Sequence, residues 1–533
     1  MKYIILIFLF IAPLSFTASA QSILNIQGSI QNTCHNINII PEPDSVCAGT
    51  LYYNLPTNIN IFVDSSFYES INEAKLLQSI IERQTETNVE IVFQKDELHN
   101  TNIIIERDTI STNTEEYTLI IDENGIIIRS CSSIGAFYAV QTFYQIFFAS
   151  SKKSGLIELP FVTIHDKPRF TYRALMLDPA RNFLSIKEIE DFINVMAMYK
   201  FNRLHLHLTD NQGWRVEIKN LPQLVQKNHK ADEYYTQEQL KYLVKYAQER
   251  YVEIVPEIDV PGHSIAALSA FPRLSCNQRL LKIATNTSLS KELLCAGNPQ
   301  VYDFIELVID ELAPIFPYKY FHIGGDEVVL DNWKRCSKCQ EVIENNKLKN
   351  EQGLLSYFFK KLDSIVKANG KEPMFWFESN VPSYPANSIL YMWKKGSNDI
   401  AKEHSENNYK LISSPNEYTY LDYPQWQGDI PQVDWMPTLS LKKTYEFEPT
   451  LDLPEKEVNK ILGIEACVWG EFIPNIDRAF YMTYPRALAL SEAGWSSKQN
   501  KSWDKFKGKL DTHFSFLLKH GINYRPPAEL YRY

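Results

Sequence analysis

Positive charge is in short supply. The chain has 533 residues, with 54 Lys and Arg against 64 Asp and Glu, a formal net charge of −10. Such a surface repels phosphate backbones, which argues against a nucleic-acid partner. It leaves neutral or acidic glycans open as ligands. Nucleotide motifs are missing as well: no G-x-G-x-x-G and no P-loop follows the first strand-like runs of the second half, so nothing marks a dinucleotide or phosphate cradle. Beyond the N-terminus no run reaches 18 uninterrupted apolar residues, and no membrane-spanning helix is expected. The C-x-x-C pair Cys336/Cys339 has no second such pair. A bridge or two free thiols is therefore expected there rather than a metal ion. Aromatic residues, in contrast, are abundant at 13%, with 30 Tyr, 29 Phe and 9 Trp.

Residues 1–20 read as a secretory signal. Lys2 supplies the positive start, Ile4 to Leu14 the short apolar stretch, and Ala18-Ser19-Ala20 the small residues before a cleavage point. The chain is thus expected to be exported, to a periplasm or to the medium. Export permits disulfides. Cys276 and Cys295 bracket a polar segment and are expected to staple it, Cys34 and Cys47 are another candidate pair, and Cys131 and Cys467 sit in apolar runs as inert core residues.

Two units follow. Residues 21–165 mix strand and helix signals and carry no catalytic cluster, so a smaller α+β support domain is expected. There Tyr117–Ile121 and Ile126–Arg129 flank the turn Asp122-Glu123-Asn124-Gly125, a hairpin signal, and Ser133 to Phe148 has helical spacing. From about residue 166 to 533 the pattern changes. Eight short apolar runs alternate with helical segments: Arg173–Asp178, Arg203–Thr209, Val252–Glu257, Tyr320–Gly324, Met374–Phe377, Ile389–Trp393, Leu411–Ser414 and Gly463–Trp469. Lys187–Lys200 reads as a helix, and Thr236-Gln237-Glu238-Gln239 as a capping box opening another. The alternation predicts a (β/α)8 TIM barrel, with an open doubly wound sheet as the alternative. Barrel enzymes keep their chemistry at the C-terminal strand ends. Here those ends carry Asp178 and Arg181, His207 and Asp210, Glu257 and Asp259, Asp326 and Glu327, Trp376 and Glu378, Trp393, Trp469 and Glu471.

The sharpest motif is His322-Ile323-Gly324-Gly325-Asp326-Glu327. Its glycines are expected to let backbone approach a ligand closely. In glycoside cleavage one carboxyl must be protonated to serve the leaving oxygen, and an adjacent acid raises its pKa. A conventional retaining enzyme also needs a nucleophile across the scissile bond, about 5–5.5 Å from the acid. Neighbouring residues cannot easily flank a sugar from both faces. Either another strand end supplies the nucleophile, or the 2-acetamido group of an N-acetylhexosamine does. In the second case Asp326 would orient the amide and Glu327 would act as acid, then base. Trp376, Trp393 and Trp469, each near a strand end, would bury the apolar faces of a sugar. Tyr420 and Asp422 follow the seventh strand, positioned for an amide oxygen and a hydroxyl. Arg181 either forks onto vicinal hydroxyls or pairs with Asp178. His205-Leu206-His207 offers a competing metal-hydrolase reading, because alternate strand residues share a face. His263, in turn, could pair with Asp210 to support the acid.

Together these residues resemble the family 20 glycoside hydrolases, the β-N-acetylhexosaminidases, along Leu175–Phe183, Asn202–Arg215, Val255–His263, His322–Glu327, Tyr420–Asp422 and Gly463–Glu471. That family is an established exception to the two-carboxylate scheme. The resemblance implies a barrel preceded by a non-catalytic domain. It implies Glu327 as general acid/base and Asp326 as the acetamido-orienting residue. It implies Arg181, Asp422 and Glu471 on ring hydroxyls, Trp376, Trp393 and Trp469 as pocket walls, Tyr420 on the acetamido oxygen, and Asp210 with His263 as the supporting pair. It implies a glycan ending in N-acetylhexosamine as substrate and no metal or organic cofactor. Leu206 and Asn211 depart from residues common in relatives, at positions not expected to touch the reacting centre. The stretch 424–448 is expected to form a long loop near the pocket mouth. A lacto-N-biosidase-like enzyme and a non-catalytic glycan binder remain alternatives.

Overall fold

The computed structural model describes residues 37–530, apart from 86, 95–101, 154–155, 228–231, 287, 396–408 and 451–452. The expected signal, 1–20, and Cys34 with its suggested pairing to Cys47 lie outside the described residues.

The first unit is a mixed sheet. Its strands are β1 (Ser45–Leu55), β2 (Asn58–Val63), β3 (Asn88–Val92), β4 (Ile103–Arg107), β5 (Tyr117–Asp122), β6 (Gly125–Ser130), β7 (Ser151–Lys153) and β8 (Leu156–Asp166), in the order β1-β8-β5-β6-β4-β2-β3 with β7 beside β8. The expected hairpin is present, with Asp122 opposite Gly125. Helices Ile71–Gln84 and Ser133–Ala149 pack on the sheet. The second is buried nearly all round, because the barrel covers the side that the sheet leaves free.

The seam between the units is charged. Lys200, fully buried, donates from Nζ to Asp166 Oδ2 at 2.7 Å and to Tyr117 Oη at 2.9 Å. Trp495 Nε1 donates to the other oxygen of Asp166 at 2.8 Å. Arg173 reaches across to Glu115 at 2.6 Å and to Tyr138 Oη at 3.1 Å. Asp166, placed on the barrel side by the sequence boundary, is the last residue of β8.

The remaining strands are β9 (Tyr172–Leu177), β10 (Arg203–His207), a short hairpin of β11 (Thr209–Asp210) and β12 (Gly213–Trp214), then β13 (Glu253–Glu257), β14 (Tyr320–His322), β15 (Glu372–Trp376), β16 (Ile389–Met392), β17 (Lys410–Ser413) and β18 (Ile461–Val468). Apart from that hairpin they close into an eight-stranded parallel barrel, β10-β13-β14-β15-β16-β17-β18-β9. The open-sheet alternative is thereby excluded, and all eight predicted runs supply barrel strands. Strand periodicity sorts the side chains into two clusters. Tyr172, Ala174 and Met176 of β9 pack inside with Met374, Trp376, Tyr391 and Ile412, whereas Leu175 and Leu177 pack outward under the helices. Both faces are buried, which is why these strands read as continuous apolar runs. The helices between them start where the sequence placed caps: Ser185 with Glu188, and Thr236 with Gln239, form reciprocal capping boxes.

Candidate active site

The site lies at the C-terminal ends of the barrel strands. Beneath it, charge fills the inside positions. Glu257, at the end of β13, is fully buried among three imidazoles: His205 Nε2 at 3.1 Å, His322 Nδ1 at 2.9 Å and the closer His207 Nδ1. Trp376 Nε1 donates to its Oε1 at 2.7 Å. Burial opposes ionisation of Glu257, but the histidine charges outweigh it and hold the carboxyl well below the usual range. His205 Nδ1 also meets Glu465 Oε1 at 2.9 Å, and His207 Nε2 meets Asp210 Oδ2 at 2.9 Å. Asp210 Oδ1 lies 3.2 Å from His263 Nδ1, and His263 Nε2 lies 3.5 Å from Glu327 Oε2. Acids and imidazoles thus alternate without a break from Glu465 to Glu327.

His205 and His207 share the inner face, as strand spacing predicts, and each ring nitrogen already faces a carboxylate. Leu206 points outward into the helix-covered core. Asn211 steadies a loop, its Oδ1 accepting from Ile265 N–H at 3.2 Å.

Asp326 and Glu327 sit on the turn after β14. Both converge on His263 Nε2, at 3.9 and 3.5 Å. Their exposures differ: 12% for the Asp326 side chain and 35% for Glu327. Burial, reinforced by Glu327 and despite His263, pushes Asp326 up to about 7. Burial also acts on Glu327. There the hydrogen bond and charge of His263, with Arg181 and Lys394, prevail and hold the carboxyl below its ordinary value. Adjacency alone predicts a lifted Glu327; it is Asp326 that is raised instead, because it is the more enclosed, while the His263 cation holds Glu327 down.

The two glycines of the motif are held in left-handed backbone. Gly324 and Gly325 have φ of +72° and +94°. A Cβ at Gly324 would lie 1.8 Å from Asp259 Oδ1, and one at Gly325 2.7 Å from the Phe359 ring. At both positions protein groups take the room that a side chain would need. Past Asp326, Glu327 is again left-handed at φ +51°, and His263 has φ +47°. Two non-glycine residues of the cluster therefore hold backbone conformations that cost energy.

Around the carboxylates stand the predicted aromatics. Trp376 is fully enclosed and forms the floor, 5.6 Å from Trp469 between ring centres. Tyr420 lies 6.2 Å from Trp469 and nearly parallel to Trp393 at 6.4 Å. Arg181 stacks over Trp469 at 5.1 Å. It pairs with Asp178 at 2.6 Å and Asp210 at 3.0 Å, and its Nε lies 3.4 Å from Glu471. Buried polar atoms remain without side-chain partners: Asp326 Oδ1, both oxygens of Asp422 and Glu471 Oε2. Burial, then the nearby Glu471 charge, raises Asp422 well above the usual carboxylate range. Buried polar atoms in a folded protein normally have partners, so these mark a place for a ligand that brings hydrogen-bond donors.

All of the predicted site residues are thus gathered at one barrel mouth. Glu257 and Glu378 are legible in the sequence as acids at strand ends, but their roles are not. Glu378 Oε1 accepts from the Glu327 N–H at 3.3 Å while its Oε2 meets Lys394 at 2.5 Å. The loop after Tyr423 packs Val433, Met436 and Leu439 against the inner cluster and leaves Trp426 and Trp435 exposed.

The cysteine expectations need correcting. Cys276 and Cys295 are free, and they stand with Cys336 and Cys339 in one group of thiols. The segments flanking the site, not two separate bridges, bring them together. Cys131 is only half-buried, its Sγ 3.2 Å from Asn113 O, whereas Cys467 is fully enclosed.

Known proteins share this arrangement. Residues 170–498 match "Glycosyl hydrolase family 20, catalytic domain" and residues 36–167 match "Glycosyl hydrolase family 20, domain 2". A β-hexosaminidase of Akkermansia muciniphila is 37% identical over 435 residues, covering 79% of this chain and 87% of that protein. One from Porphyromonas gingivalis is 34% identical over 528 residues, 96% of this chain and 67% of its own. Among solved structures, Streptomyces plicatus N-acetyl-β-hexosaminidase in complex with Thio-NAglucal superposes with a TM-score of 0.82 at 28% identity, over 93% of this chain and 97% of that one. The barrel, its preceding domain and the matched stretches agree: the chain belongs to glycosyl hydrolase family 20.

Proposed function

We propose that this hydrolase is an exo-acting β-N-acetylhexosaminidase that removes terminal, non-reducing β-linked GlcNAc or GalNAc with retention, using the substrate's own acetamido group. The carrying observation is that Asp326 and Glu327 converge on a single atom, His263 Nε2. Two carboxylates that meet one point cannot flank a sugar ring from opposite faces, so the pair is not acid plus nucleophile. A nucleophile borne by the substrate removes the need for the second.

In this reading the Trp376 floor and the Trp469 and Trp393 walls enclose one terminal sugar, which supports exo action. Asp422 and Glu471 accept from ring hydroxyls, and Arg181, fixed by Asp178 and Asp210, donates. Tyr420 donates its phenol proton to the acetamido oxygen. Asp326 accepts the amide N–H, and that bond favours its charged form. Glu327, losing water as the leaving sugar covers it, takes up the proton. Glu327 then protonates the glycosidic oxygen as the acetamido oxygen attacks the anomeric carbon. The resulting oxazolinium is stabilised by Asp326. Water, deprotonated by Glu327, opens it from the face the leaving group vacated, giving net retention. Asp210 and His263 hold Glu327 in place throughout.

The test compares aryl β-N-acetylglucosaminide with aryl β-glucoside while product anomers are followed by proton NMR. The reading expects fast release of the β-anomer from the first and negligible cleavage of the second. Equal rates on both would refute it. Export rests on residues 1–20 alone, and a mature protein beginning at Gln21 is the expected observation.

A further inference from the structure

Next to the catalytic turn, four thiols converge from two segments. Cys276 and Cys295 border the polar excursion after β13, whose turn carries His263. Cys336 and Cys339 lie at the start of helix Ser337–Asn345, nine and twelve residues beyond Glu327. Their sulfurs stand 3.6 Å apart for Cys295–Cys336, 3.6 Å for Cys295–Cys339 and 3.9 Å for Cys276–Cys339, and all four lie within 4.8 Å of one another. Sulfurs at about 2.3 Å from a central zinc ion form a tetrahedron with edges of about 3.8 Å. Two disulfides would instead give two contacts of about 2 Å and longer separations for the rest. Cys295 is equidistant from two partners, which is no pairwise pattern. Cys295 and Cys339 are buried and the other two half-buried, so bulk water has little access.

The backbone is shaped for this meeting. A Cβ on Gly297 would lie 2.3 Å from the Lys338 carbonyl carbon and 2.4 Å from Cys339 N, so only glycine lets the two segments touch here. Trp333 Nε1 donates to Leu294 O at 2.9 Å, and Asn332 Nδ2 to Lys291 O at 2.7 Å.

We propose that Cys276, Cys295, Cys336 and Cys339 bind one Zn2+ ion as a structural tetrathiolate that clamps the segment following His263 to the segment following Glu327. The four thiols lose their protons as the ion enters. With four protein ligands the shell is closed, so the ion has no position for water or sugar and takes no part in the chemistry. Its work is to fix the relation between the general acid and the histidine that supports it. The motif escapes sequence spacing because the second pair is separated by eighteen residues and only the barrel brings it to the C-x-x-C.

The test uses the full chain purified without chelator. Elemental analysis is expected to find one zinc per chain, lost in Cys276→Ser and in Cys339→Ser but kept in Cys47→Ser. Because the cluster variants could misfold, the wild-type chain is also loaded with Co2+, which should give the intense visible bands and thiolate charge-transfer bands of a tetrahedral CoS4 centre. A mercurial that blocks the thiols should release the zinc and lower the melting temperature. Zinc below a tenth of an equivalent, or a denatured non-reduced chain in which these four cysteines resist alkylation as two bridges, would overturn the proposal. Iron in place of zinc would overturn the choice of ion.

Discussion

Replacing Asp326 with Asn should change how stability depends on pH, by an amount that the structure bounds. The carboxyl has an ordinary value of 3.8 and is raised to about 7 in the fold. Its stabilising contribution is complete below the unfolded value. As pH rises, the unfolded chain releases this proton first while the native state retains it, so the contribution is lost progressively until pH passes about 7. Asn has no proton to release. A tenfold change in proton affinity is worth about 1.4 kcal/mol, so the whole difference between the folded and unfolded carboxyl amounts to about 4 kcal/mol and the part falling between about pH 5 and about pH 7 to about 3 kcal/mol. These are ceilings, since Asp259, itself raised by burial and by the Asp326 charge, titrates together with Asp326 and takes up part of the effect when that charge is removed. The assay is urea unfolding of both proteins at about pH 5 and about pH 8. Glu73 and Glu492, each also raised to about 7, titrate in both proteins and cancel in the difference. The variant should gain up to about 3 kcal/mol on the wild type between the two conditions. Parallel stability at both would show that Asp326 is not held protonated by its surroundings.

Other outcomes follow from the same geometry. Glu327→Gln should lower kcat by roughly 10²–10⁴-fold on a substrate with a poor leaving group and far less on an activated aryl glycoside, as measured by steady-state kinetics; full activity on the poor substrate would remove its role as acid. Asp326→Asn should weaken inhibition by a thiazoline mimic of the cyclised intermediate by about tenfold or more, the loss of one charge-assisted bond. Trp393→Ala should raise KM about tenfold with a smaller change in kcat, because it removes a wall and not a reacting group. Gly324→Ala, whose Cβ would overlap Asp259 Oδ1, should destabilise by more than about 2 kcal/mol in thermal or urea melts.

Much of this is legible along the chain because barrel strands and catalytic turns are local. Short apolar runs alternating with helical segments mark every strand of the barrel, and Gly324-Gly325-Asp326-Glu327 names the acids directly. What escapes depends on which side chains meet across the barrel. Glu257 is one acid in a run of five strand residues, and only closure of the sheet sets His205, His207 and His322 around it. The protonation order of Asp326 and Glu327 follows from enclosure and from His263, neither of which adjacency reveals. The purpose of the glycines is hidden for the same reason, since Asp259 and Phe359 come from other elements.

The seam around Lys200 and Arg173 bears on how the protein can be cut. Trimming away residues 37–166 would strand two cations in a cavity built for Asp166, Glu115 and Tyr117 and would bare the apolar flank once covered by helix Ser133–Ala149. Orphaning even one buried ion costs about 3–5 kcal/mol, a large part of what a domain has to spare. The barrel is therefore no portable module: an excised 167–530 fragment should collect in inclusion bodies, and fusions or shuffled variants must carry the leading sheet along with the catalytic half.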